Sequence, residues 1–330
     1  MGKIVFFDNS SKAAYSPESF RSRAYGGTVG SILRAAEGLA ARGHSVWVAQ
    51  KHRGHEESFG ARYVPLAAPI ENPGAVVVIR NARTLRDAHL RFPRSRLYLW
   101  LHTIEKDEEW LAQHYDEIRH IPATLVCLSR FHHGYVREKL AARGIELPMA
   151  VVPNSVDDHL GPNGPPFDPN KLIYFSASDR ALARALVLFE KIHWAQPDMR
   201  LFIARPGYGG VEGSIAREGV IDLGPQPQEN VLEHARGALC TFYPNTSVPE
   251  AFGLVFAESN AVGTPVLTGD VGAAREVLAE TNPPLDVHNG NLVLETVLKW
   301  RAGERPAVSV RPEFRLKNVL PVWESLLHSD

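Results

Sequence analysis

Tyr243-Pro-Asn-Thr-Ser-Val-Pro-Glu250-Ala-Phe-Gly-Leu-Val-Phe-Ala-Glu258-Ser-Asn-Ala-Val-Gly-Thr-Pro-Val-Leu267 passes from an apolar run through a polar loop into a helix-like stretch. The run before it, Ala238–Tyr243, is apolar on consecutive positions, as in a strand covered on both faces. A helix is expected to open near Gly253, where glycine lets another group approach the main chain closely. The unbonded amides and the positive dipole end at such a helix start suit an anion such as a diphosphate. Glu250 sits just before this helix and Glu258 about a turn and a half inside it. A carboxylate accepts two hydrogen bonds at once, which suits adjacent hydroxyls. Taken alone, the spacing also fits a capped amphipathic helix with two solvated glutamates.

Outward from this segment the same alternation recurs. Strands are expected at Lys3–Phe7, Ser45–Gln50, Ala75–Ile79, Leu97–His102, Thr124–Ser129 and Ala150–Pro153. In the second half they are expected at Leu172–Phe175, Leu201–Ala204, Val220–Leu223, Ala238–Tyr243, Pro265–Thr268 and Leu285–Val287. Between them lie stretches of helical spacing. Thr28–Ala41 places Ile32, Ala35, Ala36 and Leu39 on one side and stops at Arg42-Gly43. Strand and helix in alternation imply parallel sheets with right-handed crossovers. The fold class is therefore α/β, with two Rossmann-like, doubly wound domains and a ligand cleft between them. Pro153 to Pro169 is too rich in proline and glycine to continue a strand or a helix, and reads as the linker. The expected domains are 1–160 and 161–310, with a helical segment, 311–330, packing back on the first. Pro321 is expected to break or kink that last helix.

Composition narrows the function classes. The chain has 330 residues, 44% hydrophobic and 22% charged, which excludes disorder. Lys and Arg total 36 against 37 Asp and Glu, so no global charge draws it to nucleic acid. Two distant cysteines, Cys127 and Cys240, give neither a disulfide framework nor a zinc cluster, and a reduced cytoplasmic setting is expected. No apolar run is long enough for a membrane span, which leaves room for a peripheral membrane contact only.

The segment around Glu250 resembles the E-x7-E element of retaining GT-B glycosyltransferases of family four. Glu250 and Glu258 match its two glutamates, and Phe252, Gly253, Leu254, Gly263, Thr264 and Pro265 match its other marks. Gly269-Asp-Val-Gly-Ala-Ala-Arg-Glu276 is similar to the family's glycine turn followed by Glu. The resemblance implies that Glu250 contacts donor-sugar hydroxyls and Glu258 the nucleotide ribose. It also implies that amides around Phe252–Leu254 touch the sugar or phosphates. Tyr25-Gly26-Gly27-Thr28-Val29 resembles the glycine loop that faces the diphosphate and acceptor. Val151-Val-Pro-Asn-Ser-Val-Asp157 is similar to the motif that closes the family's first domain. His102, at a strand end, matches a histidine often found near the donor sugar. Leu223-Gly224-Pro225 resembles the turn that borders the nucleotide base.

One departure stands out. The family places an Arg and a Lys after the first strand of its second domain, facing the diphosphate. Here that stretch is Phe175-Ser-Ala-Ser-Asp-Arg-Ala-Leu182. Arg180 takes the lysine's place, and the usual arginine position near Ser176 holds no basic residue. Either Arg184 or another cation supplies the charge, or catalysis is slow, or the protein binds without turnover.

Other signals are weaker. His132-His133 reads as a surface or interdomain pair, and no Asp-x-Asp metal motif occurs. Arg80, Arg83, Arg86, Arg91, Arg94 and Arg96 form either a site for an anionic acceptor or lipid head groups, or a solvated basic face offset by Asp107, Glu108 and Glu109. A dinucleotide oxidoreductase lacks the G-x-G-x-x-G turn after the first strand. The resemblance implies a retaining hexosyltransferase that needs no metal or other cofactor. Its partners would be a nucleotide-sugar donor and a sugar or lipid-linked acceptor, with no nucleic acid. A catalytically silent nucleotide-sugar or glycan binding protein is the alternative.

Overall fold

The computed structural model describes residues 2–104, 109, 111–177, 181–207 and 215–328. The chain divides into two compact units: Met1–Pro17, Thr28–Ser155 and Leu316–Asp330 in the first, Glu18–Gly27 and Val156–Arg315 in the second. The division thus falls at Ser155–Val156 and Arg315–Leu316, and Glu18–Gly27, which holds most of the short helix Pro17–Ser22, counts with the second unit.

Eight strands build the first unit: β1 (Lys3–Asp8), β2 (Val46–Gln50), β3 (Glu57–Ser58), β4 (Arg62–Pro65), β5 (Pro73–Ile79), β6 (Arg96–Trp100), β7 (Ala123–Cys127) and β8 (Met149–Val151). They lie in the order β3-β4-β2-β1-β5-β6-β7-β8. Only the β3–β4 pairing is antiparallel. Successive side chains leave opposite faces of the sheet. Val5, Phe7, Val76, Val78, Leu97 and Leu99 therefore join one core. Phe6 and Trp100 point to the other face and meet Trp323 edge-on, at 6.1 and 4.8 Å between ring centroids. The short β3–β4 hairpin was not foreseen. Its strands of two and four residues carry too little apolar pattern to register.

Trp323 belongs to the helix Leu316–His328, which runs unbroken through Pro321. The expected break does not occur. Pro321 lies in the second turn on the exposed face, where its ring stands in solvent rather than against a packed neighbour. Leu320 fills the space beside Gly38, where a Cβ would come within 2.8 Å of it. Glu324 closes the contact with a bidentate pair to Arg42, at 2.8 and 2.7 Å, and a 2.8 Å bond to His44 Nε2. The Arg42 hydrogen bonds, then that from His44, hold the Glu324 carboxyl down at about 2. A depressed carboxylate pKa stabilises the fold above the unfolded value and loses that contribution as pH falls toward the folded one. Glu324→Gln is therefore expected to cost about 1 kcal/mol at pH 7, discounted for partial exposure. The gap to the parent should close between pH ~4.5 and ~2. Urea unfolding across that range checks it, and a gap independent of pH would contradict it.

The second unit is a five-stranded parallel sheet, ordered β11-β10-β9-β12-β13. Its strands are β9 (Asp168–Phe175), β10 (Arg200–Arg205), β11 (Val220–Pro225), β12 (Ala238–Phe242) and β13 (Val266–Leu267). Each sheet reverses its winding beside its first strand, at β1/β5 and at β9/β12. Open α/β sheets bind ligands outside the carboxyl ends of the strands at such switch points.

Leu285–Val287, expected as a strand, is not one. Pro283 and Pro284 precede it and offer no amide protons to a ladder. Asn282 takes over that edge instead: its Oδ1 accepts from Val266 N at 2.6 Å and its Nδ2 donates to Val266 O at 2.9 Å.

Candidate functional site

β12 is buried along its whole length and delivers the chain to the switch point. Asn245 shapes the following loop: its Oδ1 accepts from the amides of Ser247 and Val248, and its Nδ2 donates to Val248 O at 2.6 Å. This Asx-type turn carries the chain to Glu250. Glu250 Oε1 accepts a 2.6 Å bond from the hydroxyl of buried Tyr243. Phe252 anchors the loop against Phe314, edge to face at 5.0 Å.

Gly253 then adopts φ +83°, a left-handed conformation that glycine takes without strain. A Cβ here would lie 2.4 Å from the Phe256 ring, so the position excludes side chains twice over. The helix Leu254–Ala261 follows, and no side chain caps its start. Phe256 N turns back to Gly253 O at 2.9 Å, so the amides offered to a ligand or solvent are those ahead of it.

Glu258, the fifth residue of this helix, is only 5% exposed. The helix is buried on nearly all sides, with Ser259 Oγ tied to Thr241 Oγ1 at 2.7 Å and Asn260 bonded to Thr264 O and Ala279 N. It is not an amphipathic surface helix. Burying a carboxylate costs free energy unless partners compensate, which sets Glu258 apart from a solvated glutamate. Gly263 ends the helix at φ +78°, and Thr264 Oγ1 donates to Ala235 O.

The glycine turn after β13 explains its own sequence. Gly272 sits at φ +68° with its backbone on that of Glu250, where a Cβ would meet Glu250 N at 2.3 Å and Glu250 O at 2.5 Å. Ala273 N donates to that same carbonyl at 3.0 Å. Gly269 lies as close to Asn245 O, 2.2 Å from where its Cβ would be. Gly272 and Gly269 thus fix the height of the Glu250 loop. The sequence marked the turn as similar to a family feature without revealing this task.

Gly26 and Gly27 join this unit. A Cβ on Gly27 would fall 2.8 Å from Leu254 Cδ1, so the glycine loop rests on the first residue of the helix after Gly253. Gly224, next to last in β11, stands at φ +68°, its amide donating to Asp222 Oδ1 at 2.8 Å. Asp222 also pairs with Arg205 at 2.9 Å. Arg180 lies outside the described residues. Arg184, the other cation considered there, donates from Nη2 to Val287 O.

His102 belongs to the first unit, just past β6 at the carboxyl edge of that sheet. Its ring lies 4.4 Å from that of Trp100. Burial, then Arg80 and His132, push its pKa well below the usual histidine value, so it is neutral at pH 7. His132, expected in a surface or interdomain pair, is fully buried, with Nδ1 accepting from Leu128 N at 3.2 Å. Burial takes it down to about 4. Of the arginine run, Arg91 is spent internally on Leu66 O and Ala68 O. Arg80 stands at φ +65° beside Thr103. No group of three or more His, Cys, Asp or Glu among the described residues is placed to hold a metal.

Known proteins share parts of this sequence and its fold. Residues 214–296 match the family described as Glycosyl transferases group 1, a span that includes the Glu250 loop, the helix after Gly253 and the glycine turn. The chain is 27% identical over 240 residues to D-inositol 3-phosphate glycosyltransferase of Nocardiopsis dassonvillei, covering 66% of this chain and 52% of that protein. It thus spans about half the length of the curated relatives it matches. Sucrose-phosphate synthase of Thermosynechococcus elongatus superposes with a TM-score of 0.71 at 14% identity, over 99% of this chain and 98% of that one. Anabaena HepE, solved with UDP and glucose, gives 0.67 at 14% identity over 99% of both chains. The fold is GT-B α/β. No described helix is long and apolar enough to cross a membrane.

Proposed function

We propose that the protein is a retaining glycosyltransferase that moves a sugar from a nucleotide-sugar donor to a hydroxyl acceptor without a metal. The observation that carries this reading is the pairing of Glu250, propped by Tyr243, with buried Glu258 on either side of an uncapped helix start at the switch point. The ribose would lie on Glu258, the diphosphate at the amides of Gly253 and Leu254 with Arg180, the base beside Gly224, and the sugar hydroxyls on Glu250. Acceptors in this class are a glycan, a lipid-linked sugar, or a small molecule such as the inositol phosphate named for the curated relative.

In a front-face route, the bond from the anomeric carbon to the donor phosphate oxygen breaks and its electron pair stays on that oxygen. The acceptor oxygen bonds to the anomeric carbon on the same face and passes its proton to the departing phosphate. The protein contributes placement and fixed positive charge. Neutral His102 is assigned a hydrogen-bonding role toward the donor sugar.

Glu258→Ala tests the reading. Charge-assisted bonds of this kind contribute roughly 1.5–3 kcal/mol, so the variant should bind nucleoside diphosphates about 10- to 100-fold more weakly. Calorimetric titration of UDP, GDP, ADP and TDP against parent and variant measures it. Unchanged affinity for whichever nucleotide the parent binds best would remove Glu258 from the site.

A further inference from the structure

In the reading above, the leaving diphosphate needs positive charge, and the turn after β9 lacks one of the cations expected there. The second unit has few to offer. Its described lysines and arginines between residues 171 and 315 already hold partners. Arg184 is bonded to Val287 O, Arg205 to Asp222, Arg275 to Asp270 and Arg305 to Leu239 O. Arg217 pairs with Glu190, Arg236 with Glu233, and Lys171 with His234. Arg200, Lys191, Lys299, Arg301, Arg311 and Arg315 are likewise engaged by nearby side chains or carbonyls.

Two cations of this unit differ. Arg21 and Arg23 are exposed, and neither guanidinium has a hydrogen bond or ion pair among the described residues. Arg21 lies in the last turn of the short helix Pro17–Ser22 and Arg23 just past it, and the segment Glu18–Gly27 that holds both is fastened to the carboxyl edge of the second sheet at two points. Ala24, next to Arg23, rests on Gly207 just past β10, where a Cβ on that φ +73° glycine would come 2.9 Å from both Ala24 Cβ and Ala24 O. Gly27 rests on Leu254, the first residue of the helix that faces the diphosphate in our reading. Within the segment, Phe20 stacks on Tyr25 at 6.1 Å and the Tyr25 hydroxyl donates to Ser19 Oγ at 3.0 Å, which stiffens it.

We propose that Arg23, with Arg21 beside it, supplies the second positive charge on the donor diphosphate, in place of the basic residue missing near Ser176. The proposal rests on the donor-site reading above. When the anomeric C–O bond breaks and its electron pair moves onto the phosphate oxygen, a guanidinium from this segment stabilises the growing charge and takes no proton itself. An unpartnered, exposed arginine meets the phosphates at little desolvation cost, unlike one pulled from an existing pair.

The test uses the full chain and five variants: Arg23→Gln, Arg21→Gln/Arg23→Gln, Arg23→Lys, Arg217→Gln as a charge-removal control, and Glu258→Ala. UDP, GDP, ADP and TDP, and the four matching nucleosides, are titrated at low and high salt, and turnover is measured with the matching UDP-, GDP-, ADP- or TDP-sugar. The double variant should bind the preferred diphosphate at least tenfold more weakly, with a shallower salt dependence and unchanged nucleoside affinity. Its kcat should fall further than its affinity, Arg23→Lys should recover part of both, and Arg217→Gln should match the parent. Both arginines are exposed, so ligand-free melting temperatures should not move. If Glu258→Ala weakens binding and the double variant does not, the proposal fails and the donor site stands. If the parent binds none of the nucleotides, or Glu258→Ala binds as the parent does, the donor-site reading fails and this proposal with it.

Discussion

Glu250→Ala is expected to lower kcat by about 10²–10³-fold, the cost of losing one group that positions a reacting sugar. Nucleotide affinity should change little, because the phosphates and ribose are assigned to other groups. The variant also removes the Glu250 bond of the buried Tyr243 hydroxyl, a loss of about 1–2 kcal/mol of stability. Glu250→Gln separates the two effects. Its amide oxygen can still accept from Tyr243, so unfolding in urea should match the parent while turnover stays low. A Glu250→Gln variant that transfers sugar at the parent rate would take this residue out of the reaction.

The other large effect comes from a residue with no functional group. Gly272→Ala places a methyl where Glu250 N and O stand, at 2.3 and 2.5 Å, on a backbone with φ +68°. The left-handed conformation costs alanine about 1–2 kcal/mol, and overpacking about 1–3 more. The main chain of Glu250 must move, since no flexible side chain is there to yield. A shift near 1 Å at a positioning group costs about 10²-fold in rate. Stability and kcat should therefore fall together, as read by the urea midpoint and by initial rates. Parent-like values in both assays would mean that the turn does not support the loop.

Much of this arrangement was legible along the chain. Consecutive apolar residues in β1, β5 and β12 announced strands buried on both faces, and Gly253 marked where the helix would open. Elements built from few residues were not. The β3–β4 hairpin is too short to carry a period. The apolar run at Leu285–Val287 failed as a strand because Pro283 and Pro284 bring no amide protons and the Asn282 side chain takes the Val266 edge, although Leu285 N still reaches Thr268 O. Pro321 carried a general rule about helices that an exposed second-turn position relaxes. His132 read as a surface or interdomain residue and is fully buried, since local spacing does not say which helix face a neighbouring sheet will cover.

By itself the sequence determined that two α/β sheets would form and that Glu250 and Glu258 would bracket a helix start, because strand burial, helix stops and close glycine approach are local requirements of the backbone. Tertiary structure decided how tightly Glu258 is buried, that Gly272 seats the backbone of Glu250, and that the segment holding Arg21 and Arg23 rests on Gly207 and Leu254. Those contacts join residues far apart in the chain, and they are set by which turns share the carboxyl edge of one sheet, a matter of strand order that no local pattern encodes.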